Sequence, residues 1–153
     1  MGERNSEYQR IEADTYVTPQ WVYEELFRRE AFPRVWDCAP VNATFDFLKR
    51  NELPSCFWTI ATNPPYSLAD EFCHHAIRLT ERQGGKVAML LRHAFDTAKS
   101  RKDLWAPPFK IKWVITQRIR WDNIEQKKSG PSSNHAWYVW DHHYEGPPMI
   151  GWI

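Results

Sequence analysis

Long hydrophobic runs are missing from this sequence. No apolar stretch approaches the ~18 residues that a membrane-spanning helix requires. The first residues, Met1 to Glu12, are polar and mixed in charge, whereas a secretory leader begins with basic residues and continues with apolar ones. These two absences predict a soluble cytoplasmic protein without a membrane partner.

Paired cysteines are missing as well. Cys38, Cys56 and Cys73 are an odd number at wide spacings, and no two of them form a C-x-x-C pair. This pattern argues against a disulfide framework and favours a reducing compartment. The pairs His74–His75 and His142–His143 have no ligand cluster around them, and adjacent histidines on a helix point in different directions. We therefore expect no metal site.

The composition is that of one globular domain. Of the 153 residues, 42% are hydrophobic and 25% are charged, which suffices for a modest core. We interpret residues 1–153 as a single domain whose two ends, 1–14 and 142–153, are irregular.

Charge and aromatic residues are distributed unusually. Residues 1–83 contain nine basic and 13 acidic side chains, whereas residues 84–133 contain 11 basic and four acidic ones. A basic segment is typical of a polyanion contact, but a solvated surface with acidic partners elsewhere in the fold explains it equally well. Nine Trp, eight Phe and six Tyr either stack on bases or fill a core that is short of Leu and Ile.

Local patterns predict the elements of the first third of the chain. Thr18 before Pro19 is typical of a helix start, with a capping hydroxyl followed by a proline in the first turn. This helix should end near Glu30. Apolar, β-prone runs predict strands at Arg34–Cys38 and Phe57–Thr62.

The middle of the chain predicts a βαβ unit. Ser67–Asp70 has the form of a capping box, and apolar residues follow at helical spacing until Gly84 and Gly85. Lys86–Arg92 is then a buried strand. Strand, turn, helix and strand in this order predict that Lys86–Arg92 pairs in parallel with Phe57–Thr62.

The last third predicts fewer regular elements. Thr97–Trp105 has a helical pattern, and Phe109–Thr116 alternates as a strand that Gln117–Asp122 extends or pairs with. The segment Asn123–Asn134 is interpreted as a mobile basic loop. His135–Trp140 is a last strand, which we expect to run antiparallel to the strand before the loop.

The tetrapeptide Asn63-Pro64-Pro65-Tyr66 lies directly after a predicted strand and directly before a predicted helix. Turns at the carboxyl ends of parallel strands are where α/β sheets bind ligands. Because two prolines hold the backbone rigid, the Asn63 side chain and the Pro64 carbonyl can both accept hydrogen bonds from one exocyclic amine. Tyr66 can stack on the ring that carries this amine. The alternative is an ordinary strand-to-helix loop.

This tetrapeptide and its surroundings resemble the N-methyltransferases with a D/N-P-P-Y/F motif, and most closely the small phage and prophage DNA adenine methyltransferases. The similarity runs from about Tyr16 to Asp141 and includes the segments Val35–Asp37, Lys86–Arg92 and Trp137–Asp141. It implies an α/β fold with a reduced Rossmann-like methyltransferase sheet, mostly parallel with an antiparallel pair of strands at its C-terminal edge.

The resemblance also implies a cofactor, a substrate and a mechanism. Asn63, Pro64, Pro65 and Tyr66 match the motif that binds the amine of an adenine flipped out of DNA, and this amine attacks the methyl group of S-adenosylmethionine. The candidate cofactor contacts that the resemblance implies are Tyr16, Thr18, Pro19, Asp37, Asp46 and Phe47. For the two aspartates, a surface or capping carboxylate is the alternative. Because the same tetrapeptide occurs in enzymes that methylate a glutamine amide, the motif by itself indicates a planar amine or amide.

The cofactor-binding region departs from the family's pattern. No glycine occurs from Glu3 to Gln83, so the glycine-rich turn that follows the first strand of this fold is absent. The segment from Ala39 to Phe57 is also too short for all of the usual strands. Three explanations stay open: a compact enzyme that binds the cofactor unconventionally or with a second subunit, a catalytically inactive binder of nucleic acid or of a host defence protein, and the product of an internally deleted gene.

Basic side chains of the second half form a candidate DNA surface beside the tetrapeptide. Strand alternation predicts that the two lysines near residue 111 share one face, and that the two arginines near residue 119 do the same. The six cations are Lys110, Lys112, Arg118, Arg120, Lys127 and Lys128. Trp121 and Trp113 are candidates for stacking on bases, although the strand pattern favours a core position for Trp113. DNA is thus the predicted partner, and a homo-oligomer or a protein partner stays open.

Overall fold

The structure is a computed structural model that describes residues 17–39, 47–121 and 133–153. Four of the residues singled out by sequence lie outside these ranges, and so do residues 1–14 and most of the basic loop. The four are Tyr16, Asp46, Lys127 and Lys128.

The described ranges contain two α-helices and six strands. In chain order they are α1 (Gln20–Phe27), β1 (Val35–Trp36), β2 (Thr59–Thr62), α2 (Ala69–Glu81), β3 (Lys86–Arg92), β4 (Phe109–Val114), β5 (His135–Asp141) and β6 (Met149–Trp152). The predicted helix at residues 97–105 is a 3₁₀ helix over Lys99–Trp105. With 13 residues, α2 is too short to span a bilayer, and neither described helix is a candidate membrane span.

All six strands belong to one sheet with the order β1-β2-β3-β5-β4-β6. β1, β2 and β3 pair in parallel, β5 lies antiparallel between β3 and β4, and β6 pairs in parallel with β4. Five strands therefore run in one direction and β5 alone runs against them. This confirms the predicted α/β fold with a mostly parallel sheet and an antiparallel pair. The pair β4–β5 does not form the edge, however, because β6 lies outside it.

The predicted βαβ unit is confirmed in β2, α2 and β3. Ile60 of β2 lies opposite Val87 of β3 in parallel register. Apolar residues at helical spacing turn one face of α2 toward the sheet. Gly85 is needed where the chain returns from α2, because a Cβ atom there would lie 2.0 Å from the carbonyl oxygen of Trp58.

Each face of the sheet has its own core, and β5 supplies the largest side chains of both. Trp137, Tyr138 and Trp140 are fully buried. The Trp137 indole donates to the carbonyl of Val22 in α1 (3.0 Å), and the Trp140 indole donates to the carbonyl of Leu104 on the other face (2.7 Å). These aromatic residues fill the core rather than a ligand site.

The predicted cap of α1 does not form. α1 begins at Gln20 with Pro19 as its N-cap residue, and no side chain caps it. The Thr18 hydroxyl instead accepts a hydrogen bond from the Asn63 amide (3.1 Å). A tertiary contact has replaced the local one.

The predicted capping box at the start of α2 does not form either. A 3₁₀ turn over Tyr66–Leu68 comes first, so α2 begins at Ala69 without a side-chain cap. The Asp70 carboxylate accepts from Arg101 Nε (2.7 Å). The rigid prolines before the turn explain the later helix start, since they fix the direction in which the chain leaves β2.

The prediction that residues 142–153 are irregular is wrong for β6. This strand pairs with β4 and places Gly151 opposite Trp113. A Cβ atom at residue 151 would lie 2.3 Å from the Trp113 ring. Gly151 therefore allows β6 to lie beside a large ring.

Alternating charges fix α1 to the amino end of the sheet. Glu30, which follows α1, accepts from Lys86 (3.2 Å) and Lys110 (2.7 Å). Asp141 lies 3.4 Å and 3.7 Å from the same two ammonium groups. Because Glu30 is only 6% exposed, its charge depends on these lysines rather than on water.

We predict that Glu30→Gln lowers the free energy of unfolding by about 3 kcal/mol, because it leaves two partly buried ammonium groups with one carboxylate. Urea denaturation measures this as a lower midpoint with an unchanged slope. The matched control is Glu81→Gln at the exposed end of α2, where a change below about 0.5 kcal/mol is expected. Equal effects of the two substitutions would contradict the role of Glu30.

Candidate functional site

The turns after β1, β2 and β3 meet at one end of the sheet because these strands are parallel. We name this end the carboxyl edge. It contains Asp37, the tetrapeptide Asn63–Tyr66, Arg92 and His135. His135 belongs to it because β5 starts where β3 ends, and the two strands pair Arg92 with His135. The predicted place of the tetrapeptide, after a parallel strand, is confirmed.

Asp37 connects three elements of the carboxyl edge. One carboxylate oxygen accepts from the Thr62 hydroxyl (2.6 Å) and from the backbone N–H of Ala39 (3.2 Å). The other accepts from the Tyr23 hydroxyl of α1 (3.0 Å). Burial and the Asp37 charge raise the pKa of Tyr23, so this hydroxyl stays a donor at neutral pH.

Asn63 has one satisfied and one unsatisfied end. Its Nδ2 donates to the Thr18 hydroxyl, while its carbonyl oxygen is buried without a donor among the described residues. A buried acceptor that lacks a donor costs about 1–3 kcal/mol. An N–H group of a ligand at this point would remove the cost.

The two prolines after Asn63 make the turn rigid. Both are buried, and neither has an N–H to donate. The Pro65 carbonyl accepts from the Leu68 N–H (3.0 Å), which starts the 3₁₀ turn. Within the described ranges, no backbone N–H bonds to the carbonyl of Pro64. The Asn63 and Pro64 oxygens are thus the two acceptors that the sequence predicts for an amine.

Tyr66 is held by a buried histidine. Its hydroxyl is hydrogen-bonded to Nε2 of His135 (2.7 Å), and the Trp121 ring lies edge-on to the His135 ring at 5.2 Å. The Arg92 guanidinium lies 5.2 Å from the centre of the Tyr66 ring. Burial first, and the Arg92 charge second, lower the pKa of His135 to about 4, so this imidazole is neutral at pH 7.

The carboxyl edge brings together only some of the predicted cofactor contacts. Thr18 contacts Asn63 and Pro19 adjoins it, with Asp37 on the neighbouring strand end. Phe47 is elsewhere. Its ring packs on Phe72 at 4.8 Å in the core below α2 and is 3% exposed, which leaves little surface for a ligand.

A bulge in β4 separates the two lysines that strand alternation places on one face. The register shifts between Phe109 and Ile111, and these two residues pack in cores on opposite faces of the sheet. Strict alternation therefore fails at Lys110. The expectation that Lys110 and Lys112 share one face of the strand is wrong.

Both lysines are committed to partners inside the fold. Lys112 is 7% exposed and donates to Asp96 and to the His93 carbonyl, each at 2.7 Å. Lys110 lies at the amino end of the sheet with Glu30, opposite the carboxyl edge. Neither ammonium group is left for phosphates beside the tetrapeptide.

The remaining candidates for DNA binding differ in exposure: the two arginines are exposed, whereas the two tryptophans pack inside the fold. Arg118 and Arg120 are exposed after β4. Trp121 is 6% exposed and packs on His135, whereas Trp113 packs on the face that α1 covers. The core position expected for Trp113 is confirmed, and Trp121 is also largely enclosed.

Sequence reasoning missed four residues of the carboxyl edge: Tyr23, Thr62, Arg92 and His135. Thr62 and Arg92 are the last residues of predicted parallel strands. Because ligands bind at the carboxyl ends of such strands, both positions could have been chosen as candidates from the sequence. His135 had no such signal, because its place depends on β5 pairing with β3 rather than only with β4.

Comparison with protein-family models and with curated proteins assigns no function to this arrangement. No protein-family model matches the chain, and no curated protein is significantly similar to it. Among residues 17–39, 47–121 and 133–153, no group of three His, Cys, Asp or Glu side chains is placed to hold a metal ion. The function must be inferred from the carboxyl edge itself.

We predict that His135 makes stability depend on pH below neutrality. The unfolded chain binds a proton at this residue near pH 6.5, whereas the folded chain binds one only near pH 4. The folded state therefore loses about 3 kcal/mol relative to the unfolded state as the pH falls through this window.

His135→Gln keeps a hydrogen-bonding group near Tyr66 and does not titrate, so its stability should fall less between pH 6.5 and 4. Urea denaturation of both proteins at several pH values measures the difference. Parallel pH profiles for the two proteins would show that His135 is not protonated differently in the folded and unfolded states.

Proposed function

We propose that the carboxyl edge binds S-adenosylmethionine and the exocyclic amine of an adenine in DNA, and that the chain acts as a DNA adenine-N6 methyltransferase. The observation that carries the proposal is the buried Asn63 oxygen without a donor, within the motif that resembles the family's amine-binding tetrapeptide. An amine N–H is the group that this oxygen lacks.

The described residues can hold such an amine in one orientation. One N–H would donate to the Asn63 oxygen and the other to the Pro64 carbonyl. Both acceptors are fixed, since Asn63 is tied to Thr18 and the prolines stiffen the backbone. Two hydrogen bonds draw the amine toward sp³ geometry and direct its lone pair away from the tetrapeptide. Positioning then supplies most of the rate enhancement, and no strong base is needed.

Asp37 is the described residue best suited to hold the cofactor. When bound, S-adenosylmethionine supplies an electrophilic methyl group and leaves as a neutral thioether. Asp37 is exposed at the end of β1, and its carboxylate accepts three of the about four hydrogen bonds that it can take. One acceptor position of the Asp37 carboxylate is left for a hydroxyl or ammonium group of the cofactor. The Thr18 hydroxyl, which accepts from the Asn63 amide, is a second polar group at this edge. These residues fit a ligand that is rich in donors.

A base in DNA fits the carboxyl edge better than a glutamine amide does. Tyr66 provides an aromatic ring whose hydroxyl is fixed by His135, which suits stacking of an extruded base. A glutamine amide has no ring to stack. Arg92 is exposed beside the Tyr66 ring, and Arg120 is exposed next to Trp121, which packs on His135; both suit the phosphates of a strand.

We predict that Asn63→Ala lowers the rate of methyl transfer to adenine-containing DNA by at least about 100-fold, because it removes an acceptor from the reacting amine. Its affinity for S-adenosylmethionine should change little. Transfer of a labelled methyl group and calorimetric titration measure the two quantities. The matched control is Asn63→Asp, which keeps an oxygen facing the amine and accepts from Thr18 with the other, so it should retain transfer.

Wild-type transfer in Asn63→Ala would contradict the proposed mechanism. If the wild-type chain binds DNA but transfers no methyl group, the chain is instead a catalytically inactive binder. Transfer to a glutamine amide in place of adenine would keep the role of Asn63 and reject DNA as the substrate.

A further inference from the structure

Arg92 has no carboxylate partner within the part of the chain that the structure describes. It ends β3, its side chain is exposed, and no ion pair to an Asp or Glu of the described residues involves it. Its backbone is fixed by pairing with His135 and by the Tyr138 hydroxyl, whose single proton is shared between the carbonyls of His93 (2.8 Å) and Arg92 (3.3 Å). A rigid strand end therefore carries a guanidinium with five N–H donors.

The other lysines and arginines within the described strands are neutralised, and so is Arg101 beside them. Lys86, Lys110, Lys112 and Arg101 each have a carboxylate oxygen within 3.2 Å. Their charges stabilise packing between elements. Arg92 differs from them in position and in partner, since its contacts are the Tyr66 ring and the edge of the candidate site.

The position of the guanidinium conflicts with a base on the same face of Tyr66. Atoms stacked on the Tyr66 ring lie ~3.5–4.0 Å from it, so a guanidinium beyond a stacked base would lie at least ~7 Å away. It lies at 5.2 Å, which is too close for a base to lie between it and the ring. A base that stacks there must displace it, and the long, exposed side chain allows this movement.

His135, which is hydrogen-bonded to Tyr66, carries no charge at neutral pH, whereas Arg92 does. His135 is 4% exposed and its pKa is lowered to about 4, so it is uncharged at neutral pH. Among the described residues that contact Tyr66, Arg92 is therefore the cation that an approaching anion meets, and it has a planar fork of donors. Guanidinium forks match two oxygens of a phosphate group.

We propose that Arg92 binds the phosphate beside the extruded nucleotide, and that its guanidinium covers Tyr66 until the base takes its place. This inference rests on the proposed base pocket at Asn63–Tyr66. It assigns a phosphate contact to the end of β3, whereas the sequence pattern assigned phosphate contacts to six cations between Lys110 and Lys128. The ligand chemistry is a planar base joined to a phosphodiester.

The test measures binding of a labelled single-stranded oligodeoxynucleotide with one adenine, by fluorescence anisotropy over a salt series and without S-adenosylmethionine. Each phosphate contact contributes about −0.7 to the slope of log affinity against log salt on a single strand. Arg92→Gln should make the slope shallower by about 0.7 and weaken binding at low salt. Arg92→Lys keeps the charge and should keep the slope, with weaker binding because the fork is lost.

Arg34→Gln is the matched control. Arg34 is also exposed, and its guanidinium lies 4.8 Å from the Trp58 ring, but at the amino end of the sheet. The substitution removes the same charge and the same kind of ring contact as Arg92→Gln. Because Arg34 lies at the end of the sheet opposite the candidate site, the salt slope should stay unchanged.

A wild-type slope in Arg92→Gln would overturn the proposal, and so would an equal decrease in Arg34→Gln or the absence of wild-type binding at low salt. A second strand, in which the adenine is replaced by an abasic site, distinguishes failure of the phosphate contact from failure of the base pocket. If the wild type binds both strands equally, the base pocket fails. If it prefers adenine while Arg92→Gln keeps the slope, the pocket stands and only the phosphate contact is rejected.

Discussion

The carboxylate of Asp37 holds together the elements from which the carboxyl edge is built. β1 has two residues, so its backbone pairing with β2 is short. Asp37 adds hydrogen bonds from Thr62 at the end of β2 and from Tyr23 on α1. Since Asn63 directly follows Thr62, the orientation of the tetrapeptide depends on this carboxylate. Thr18 then fixes the amide of Asn63 from the start of α1.

The two ends of the sheet differ in how they use polar groups. At the amino end, Glu30 and Asp141 neutralise two lysines, and the cluster closes on itself. At the carboxyl edge, the Asn63 oxygen has no donor and Arg92 has no carboxylate within the described residues. The Asn63 oxygen and the Arg92 guanidinium lie at the ends of two neighbouring parallel strands. Together they suit a ligand that carries an amine and a phosphate. The Asn63 oxygen supports the proposed amine site, and Arg92 supports the phosphate contact that rests on that site.

The sequence predicted the elements whose local pattern agrees with the fold, and it failed where distant residues decide. The βαβ unit and the place of the tetrapeptide follow from apolar periodicity and strand ends, which are local. Thr18 has the pattern of a helix cap, but a side chain 45 residues away binds its hydroxyl. The strand β6 is not predicted, because the sequence does not show that Gly151 lies beside a ring in β4. The bulge at Lys110 and the pairing of Arg92 with His135 likewise arise only when the sheet assembles.

Binding of S-adenosylmethionine by the isolated chain tests the central claim most directly, since the methyltransferase interpretation requires it and an inactive binder does not. Calorimetric titration at pH 7 should show saturable binding of one cofactor per chain in the micromolar range. The cofactor should also raise the midpoint of thermal unfolding with increasing concentration, because it binds the folded state. No heat of binding and no shift of the midpoint at millimolar cofactor would contradict the claim that the carboxyl edge is a methyltransferase site.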